Sequence, residues 1–356
     1  MRPLTFSLAL LMLLALPGLA VADDAQNAKL EELWKTGSLW QVGDNIPKVE
    51  AARKEIVAAG DAGLAFAFTK LGSSDGLEYR CIEAVFKGFG AKALPGLLER
   101  MGHEDVKVRR NVAAMFGVID DKSAAAKMVE HLKKESDLRC KVGHLQTLAR
   151  WKEPTALDPL IECTRVTQEQ EPLAERLKVR IVPLLGNYED EKAIARLIEL
   201  LEDAAFFVRD AARDALKGSA AGRKECVAWA IGQFYGDDRW PSDSNRLRLT
   251  VQVCAIVVSR DSRLALERYV KHPVAPVCAQ AATCIANWMI ERNKEYKKSI
   301  ASATDTDRRE ALTFEFEKDG RHVLGALNDV LEKEDDPAVL AALERALSTV
   351  RENTAR

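Results

Sequence analysis

The chain has 356 residues, 47% apolar and 30% charged, which allows a large core and excludes a disordered or coat-like segment. Lys and Arg number 52 against 54 Asp and Glu, with a pI near 6.3, so the basic footprint of a general nucleic-acid binder is absent. Seven cysteines are too few for a disulfide scaffold, and their odd number leaves at least one thiol unpaired within a monomer.

Met1-Arg2, the apolar run from Leu4 to Leu16, Pro17-Gly18 and the small residues Ala20-Val21-Ala22 have the three parts of a secretory signal peptide. The expected organisation is a signal peptide over 1–22 cleaved after Ala22, an N-terminal cap segment over 23–46 and a repeat body over 47–352. The apolar run is too short for a retained membrane helix, and no other window approaches the roughly 18 apolar residues that a span needs. Stable membrane insertion after cleavage is therefore not expected, and the mature chain is expected in a periplasm or the secreted space. Within the cap segment, Trp34 and Trp40 are placed to cover the open apolar face of the first repeat.

From Val49 onward one apolar pattern recurs. Val108, Val112, Met115, Phe116 and Ile119 fall at offsets 0, 4, 7, 8 and 11, a single stripe down a helix. The same offsets begin at Leu177, Leu247, Val277 and Val339. Weaker copies begin at Leu138, with Gln146 at offset 8, and at Val208, with Ser219 at offset 11. Degraded copies begin at Val49 and Tyr79, where Arg53, Glu83 and Lys87 interrupt the stripe. Most starts lie 29 to 31 residues apart; two intervals are 39 and the last is 62. One helix fills half such a period, so each unit carries a second, as in Ala125, Met128, Val129, Leu132 or Ile194, Leu197, Ile198, Leu201. The 39-residue intervals hold extra loops at Thr164–Pro172 and Gln233–Ser244. The charged stretch from Glu291 to Asp307 fits either a long helix or a loop. No window alternates with period two, so the fold class is all-α, and helix pairs that cannot bury their stripes alone stack into an α-solenoid.

An Arg after the first stripe residue opens most units (Arg80, Arg109, Arg139, Arg209, Arg248). Asp105, Asp137 or Asp243 often precedes it, and Gly88 and Gly117 follow eight residues later. This pattern resembles the HEAT-repeat family, in particular the short bacterial HEAT-like repeats of the PBS-lyase type, over nearly all of the mature chain. The resemblance implies a right-handed superhelix of about nine or ten antiparallel helix pairs. It also implies a ladder of Asp–Arg pairs between neighbouring repeats, so that Asp105, Arg109, Arg139 and Arg209 read as scaffold. Glu50, Cys278 and Leu340 depart from the Arg position.

Chemical motifs are sparse. A deoxyhypusine hydroxylase-like site needs several His-Glu pairs in register to ligate two irons, and only His103-Glu104 occurs, so His103 reads as a turn residue. A HEAT-type DNA glycosylase needs a basic face, which charge and expected export oppose, and a phycobilin lyase works in the cytoplasm, which expected export opposes. Gly72 to Gly76 matches GxSxG around Ser74, yet it joins two helices rather than a strand and a helix, so it reads as a turn. Cys254 and Cys284 share offset 7 of adjacent units. Helix spacing of about 8–10 Å against the 7 Å limit for a disulfide makes them buried apolar side chains.

No cofactor, metal or catalytic residue is therefore expected. The function expected is a non-catalytic protein-binding scaffold or adaptor whose partner is a protein or peptide in the envelope or extracellular space. Contacts are expected on the groove lined by the second helix of each pair and on the aromatic insertion Phe234, Tyr235, Arg239 and Trp240, since aromatics and Arg dominate binding hot spots. The alternatives are an accessory subunit of an envelope enzyme, or an enzyme whose acidic and His side chains converge on the concave face.

Overall fold

Short side-chain acceptors decide where the helices begin. In the computed structural model, which describes residues 24–233, 242 and 244–355, Asp75, Asp105, Asp190, Ser219 and Asp336 each accept a backbone N–H from the first turn that follows. Asp120, at φ 58°, supplies the left-handed residue that ends one helix. Every regular element among the described residues is helical. The expected signal peptide and its cleavage after Ala22 lie outside the described residues.

The chain divides into two compact units, Met1–Thr147 and Leu148–Arg356. The first holds α1 (Asp24–Gly37), α2 (Asn45–Ala58), α3 (Gly60–Thr69), α4 (Gly76–Phe89), α5 (Leu94–Arg100), α6 (Val106–Ile119) and α7 (Ala125–Leu132). The division falls inside α8 (Leu138–Arg150). The second unit continues with α9 (Leu157–Cys163), α10 (Ala174–Leu185), α11 (Glu191–Glu199), α12 (Phe206–Gly218), α13 (Ala220–Gly232) and α14 (Asn245–Cys254). It ends with α15 (Arg260–Tyr269), α16 (Ala275–Ser302), α17 (Thr306–Leu331) and α18 (Pro337–Thr354).

Each unit is a solenoid stack. First helices pack on first helices, α2 on α4 and α4 on α6 in one unit, and α10 on α12, α12 on α14, α14 on α16 and α16 on α18 in the other. Second helices α11, α13, α15 and α17 follow one another in the same way. The approach of α2 and α4 requires Gly88, where an added Cβ would stand 2.7 Å from the Val57 side chain. The expected stripes at Val208, Leu247, Val277 and Val339 face the core almost without exception, and Ser219 is buried because it caps α13.

One stripe runs in a different register from the expected one. In α4 the buried set is Ile82, Val85, Phe86 and Phe89, one residue ahead of the set counted from Tyr79. In α8 the expected positions Val142, Leu145 and Ala149 are buried, and burial extends beyond them to Cys140, His144, Thr147, Leu148 and Trp151. The stretch Glu291–Asp307 is also resolved: α16 has 28 residues and α17 has 26, so the 62-residue interval is one long hairpin rather than two periods.

The expected Asp–Arg ladder is kept in part, Arg109 still linking neighbouring repeats but through Glu135. Asp105 caps α6, accepting from Lys107 N at 2.8 Å, and Arg139 is exposed with no partner among the described residues. Links between neighbouring repeats are made instead by Arg110 to Asp137 (Nε–Oδ1 3.0 Å), Arg109 to Glu135 and Lys178 to Asp203. Arg209 turns back to the carbonyls of Asp203 and Ala204. Trp34 is 1% exposed and seals the end of the first core, donating its indole N–H to Glu78 at 3.3 Å. Trp40, expected to share that role, is 53% exposed, with the Arg80 guanidinium 5.0 Å from the centre of its ring.

Candidate protein-binding face

The second helices of the second unit form a face with two neighbouring clefts. Amphipathic α11 buries Ile194, Leu197 and Ile198 against the core, and the edge of that stripe walls a cleft of about 570 Å³ facing Lys224 and Glu225 of α13. At its mouth the Arg246 guanidinium lies 4.6 Å from the ring of Trp229, two residue types that dominate binding hot spots. Glu189 at the edge is committed to structure. Its carboxylate accepts from the N–H of Ala221 (2.8 Å) and Ala220 and from the Ser219 hydroxyl, and these bonds hold its pKa below the ordinary value.

The larger cleft, about 810 Å³, lies among α13, α15 and α17. Ile231, Ala265 and Ala326 form its floor, and Arg268, Arg321 and His322 stand on its rim. Lys271 and Asp329 bridge one end at 3.2 Å. Leu264, 43% exposed, forms a ridge between this cleft and a third of about 750 Å³ that reaches α16.

The expected contact residues Phe234, Tyr235, Arg239 and Trp240 lie outside the described residues. Elsewhere the structure exposes aromatics that the periodicity gave no reason to single out. Phe206 and Phe207 are 58% and 64% exposed at the start of α12, edge to face at 5.5 Å. They precede the first stripe residue Val208, so they project from the helix end instead of into the stack.

Acidic and His side chains do converge, in the first unit. Glu135 accepts from Arg109 at both oxygens (2.9 and 3.2 Å), receives the Asp137 N–H at 2.8 Å and lies 3.4 Å from His131 Nε2. Burial raises its pKa, and the Arg109 and backbone hydrogen bonds more than offset this, so it stays ionised. The rings of His131 and His144 meet edge to face at 5.4 Å, and burial depresses His144 to about 3. The cluster is closed: Glu135 and His144 are 6% and 1% exposed, and Glu135 has no acceptor capacity left for a substrate. Its role is to tie α6, α7 and α8 together.

Other expectations can be placed directly. His103 sits in the turn before α6, its Nδ1 accepting from Asp105 N at 3.0 Å. Ser74 lies in the turn before α4, where Asp75 supplies the cap. All seven cysteines are buried and outside any disulfide, Cys254 and Cys284 among them. Burial pushes the thiol of Cys226 up to about 12 and those of Cys278 and Cys284 to about 11, so at neutral pH these are apolar fillers rather than thiolates. Among the described residues no group of three or more His, Cys, Asp and Glu is arranged to hold a metal ion, and no helix is long and apolar enough to cross a membrane.

No protein-family model and no curated protein matches this sequence. Among solved structures the chain is similar to YibA of Escherichia coli, at 15% identity over 87% of this chain and 98% of that one, with a TM-score of 0.40. It is similar to human deoxyhypusine hydroxylase in complex with glycerol at 16% identity, over 74% of this chain and 97% of that one, TM-score 0.28. It is also similar to the CpcE–CpcF complex of phycocyanin lyase from Nostoc sp., at 16% identity over 71% and 93%, TM-score 0.26. All three are HEAT-like helical repeat folds.

Proposed function

We propose that this chain is a non-catalytic protein-binding scaffold, exported to a periplasm or the secreted space, that holds a polypeptide segment along the second-helix face of its C-terminal unit. The observation that carries this reading is the pair of neighbouring clefts on α11, α13, α15 and α17, each with an apolar floor or wall and a rim of both charge signs. Apolar floors supply affinity, and charged rims select register and partner. The ionisable cluster elsewhere is closed to solvent and its carboxylate is committed to Arg109 and the Asp137 N–H, which favours a scaffold over an enzyme.

The test is affinity capture with the chain from Asp23 onward, applied to envelope and secreted fractions of the source cell and read by quantitative mass spectrometry. A reproducible partner, lost when Leu264→Arg and Arg246→Glu are combined, supports the reading. Equal recovery by the wild type and the double variant overturns the assignment to this face.

A further inference from the structure

The loop between α1 and α2 inverts the usual arrangement of a surface turn, in which polar groups face water. Four of the nine large apolar side chains exposed among the described residues fall between positions 39 and 46: Leu39, Trp40, Val42 and Ile46, all 41–53% exposed. The polar groups are drawn inward instead. Arg53 of α2 donates Nε to Gly37 O at 2.9 Å and Nη1 to Gln41 Oε1 at 3.0 Å, and Gln41 donates onward to Glu50 at 3.3 Å. The Val42 N–H is bonded to Trp40 O at 2.9 Å, and the N–H groups of Asn45 and Ile46 close on Val42 O and Gly43 O. A loop tied in this way has already lost the conformational freedom that binding otherwise costs, and it holds its apolar side chains outward.

The four side chains project from the end of a helix hairpin and line none of the clefts described above. Half-exposed, they fall well short of the ~800 Å² per partner that a stable interface between two copies buries. A bilayer surface needs neither that area nor a matching pocket, and it takes Trp at headgroup level with aliphatic side chains at the acyl boundary beneath. The charges suit headgroup phosphates. Lys35, Lys48 and Arg80, in the helix turns that border the loop, are exposed with no ion-pair partner among the described residues, and the Arg80 guanidinium lies 5.0 Å from the centre of the Trp40 ring. Their long stems let the cationic heads stay level with a phosphate while the ring goes deeper. Four carboxylates border the loop as well. Glu50 accepts from Gln41, Asp75 caps α4 and Glu78 accepts from Trp34 and Ser73, which leaves Asp44 as the uncommitted one.

We propose that this loop docks the protein reversibly on a phospholipid surface, with Leu39, Trp40, Val42 and Ile46 entering the interface and Lys35, Lys48 and Arg80 meeting headgroup phosphates. The contact is peripheral and crosses no bilayer. It does not rest on the scaffold reading, because it uses the first unit and none of the second-helix clefts.

Co-sedimentation of the chain from Asp23 onward with vesicles of phosphatidylcholine and phosphatidylglycerol tests it. The wild type should sediment with the vesicles. Leu39→Asp combined with Trp40→Asp should lower vesicle affinity at least about tenfold, since carboxylates are excluded from the apolar layer. Its thermal midpoint should be unchanged, because Arg53 and Gln41 hold the loop. Lys48→Glu combined with Arg80→Glu should lower the affinity about fivefold or more. Lipid brominated on its acyl chains should quench the fluorescence of the wild type more than that of Trp40→Phe, a comparison that stands even if the Asp variant does not fold. A wild type left in the supernatant, an Asp variant or a charge-reversed variant that sediments equally well, or equal quenching of the wild type and Trp40→Phe would overturn the proposal. A Trp40-dependent dimer in light scattering without sedimentation would assign the loop to a second copy and overturn it too. Partner capture by the second-helix clefts stands or falls separately from each of these outcomes.

Discussion

Phe116 marks how much a single stripe position is worth. It is 1% exposed in the core of α6, and truncating a buried aromatic costs its transfer free energy plus the cavity left behind. Phe116→Ala is expected to lose about 3–5 kcal/mol in urea unfolding. Asp137 acts through charge. Burial works against its ionised form, but hydrogen bonds from Arg110 and from the Cys140 N–H outweigh it and hold the pKa at about 2. Because the folded value lies below the unfolded one, the stabilisation is complete above about pH 4 and is lost as pH falls towards 2. Asp137→Asn should therefore cost about 2 kcal/mol at pH 7, and the two proteins should converge near pH 2. His144 works in the opposite sense to a salt-bridged histidine. Its folded pKa of about 3 lies below the unfolded value, so acidification below about 6.5 protonates the unfolded chain first and drains stability. His144→Leu should shrink the drop in thermal midpoint between pH 7 and pH 5; an undiminished drop would show that other groups carry it.

At the scale of the element, caps set the boundaries and length sets the outline. Asp336 accepts from the N–H groups of Ala338 and Val339 and opens α18, the helix that covers the last core by packing on α16 and α17. Asp336→Ala is expected to cost about 1 kcal/mol, measured by the shift in urea midpoint at constant slope. The long α16–α17 hairpin shows why a charged stretch was ambiguous in the sequence. Beyond Trp288 and Met289 the hairpin is covered mainly from one side, Tyr296 stacking on Phe316 at 4.4 Å, and the remaining faces are free to be charged. A half-buried helix of that kind has a thin stripe, and periodicity reads it poorly. The α8 stripe was legible at Val142, Leu145 and Ala149, but its full width was not, because His144 and Thr147 are buried polar residues.

For the whole molecule, the thiols provide the clearest global test. Seven buried cysteines outside any disulfide predict seven groups unreactive towards a thiol reagent in the native chain and seven titrated after denaturation without reductant. Fewer than seven in the denatured chain would reveal a disulfide that the structure does not contain. Stacked pairs bury their stripes against neighbours, so stability is approximately a sum of pair and interface terms, and Asp137→Asn and Asp336→Ala, which lie far apart in sequence and share no partner, should add.

Composition and periodicity by themselves determined the all-α class, the recurring helix pair near 30 residues and most of the buried stripe residues, because a helix must bury one face and the 3.6-residue repeat writes that face into the chain. They also identified His103 and Ser74 as turn residues, since local hydrogen bonds make both. Only tertiary structure decided which acid meets which base. Asp105 was drawn to its own helix terminus and Arg110 to Asp137, a choice set by the geometry between stacked helices and invisible in spacing. The clefts on α13, α15, α16 and α17 were likewise out of reach of the sequence, because a cleft is the space left where helices of unequal length cannot pack along their whole faces. That space depends on the neighbours, not on any one stretch of chain.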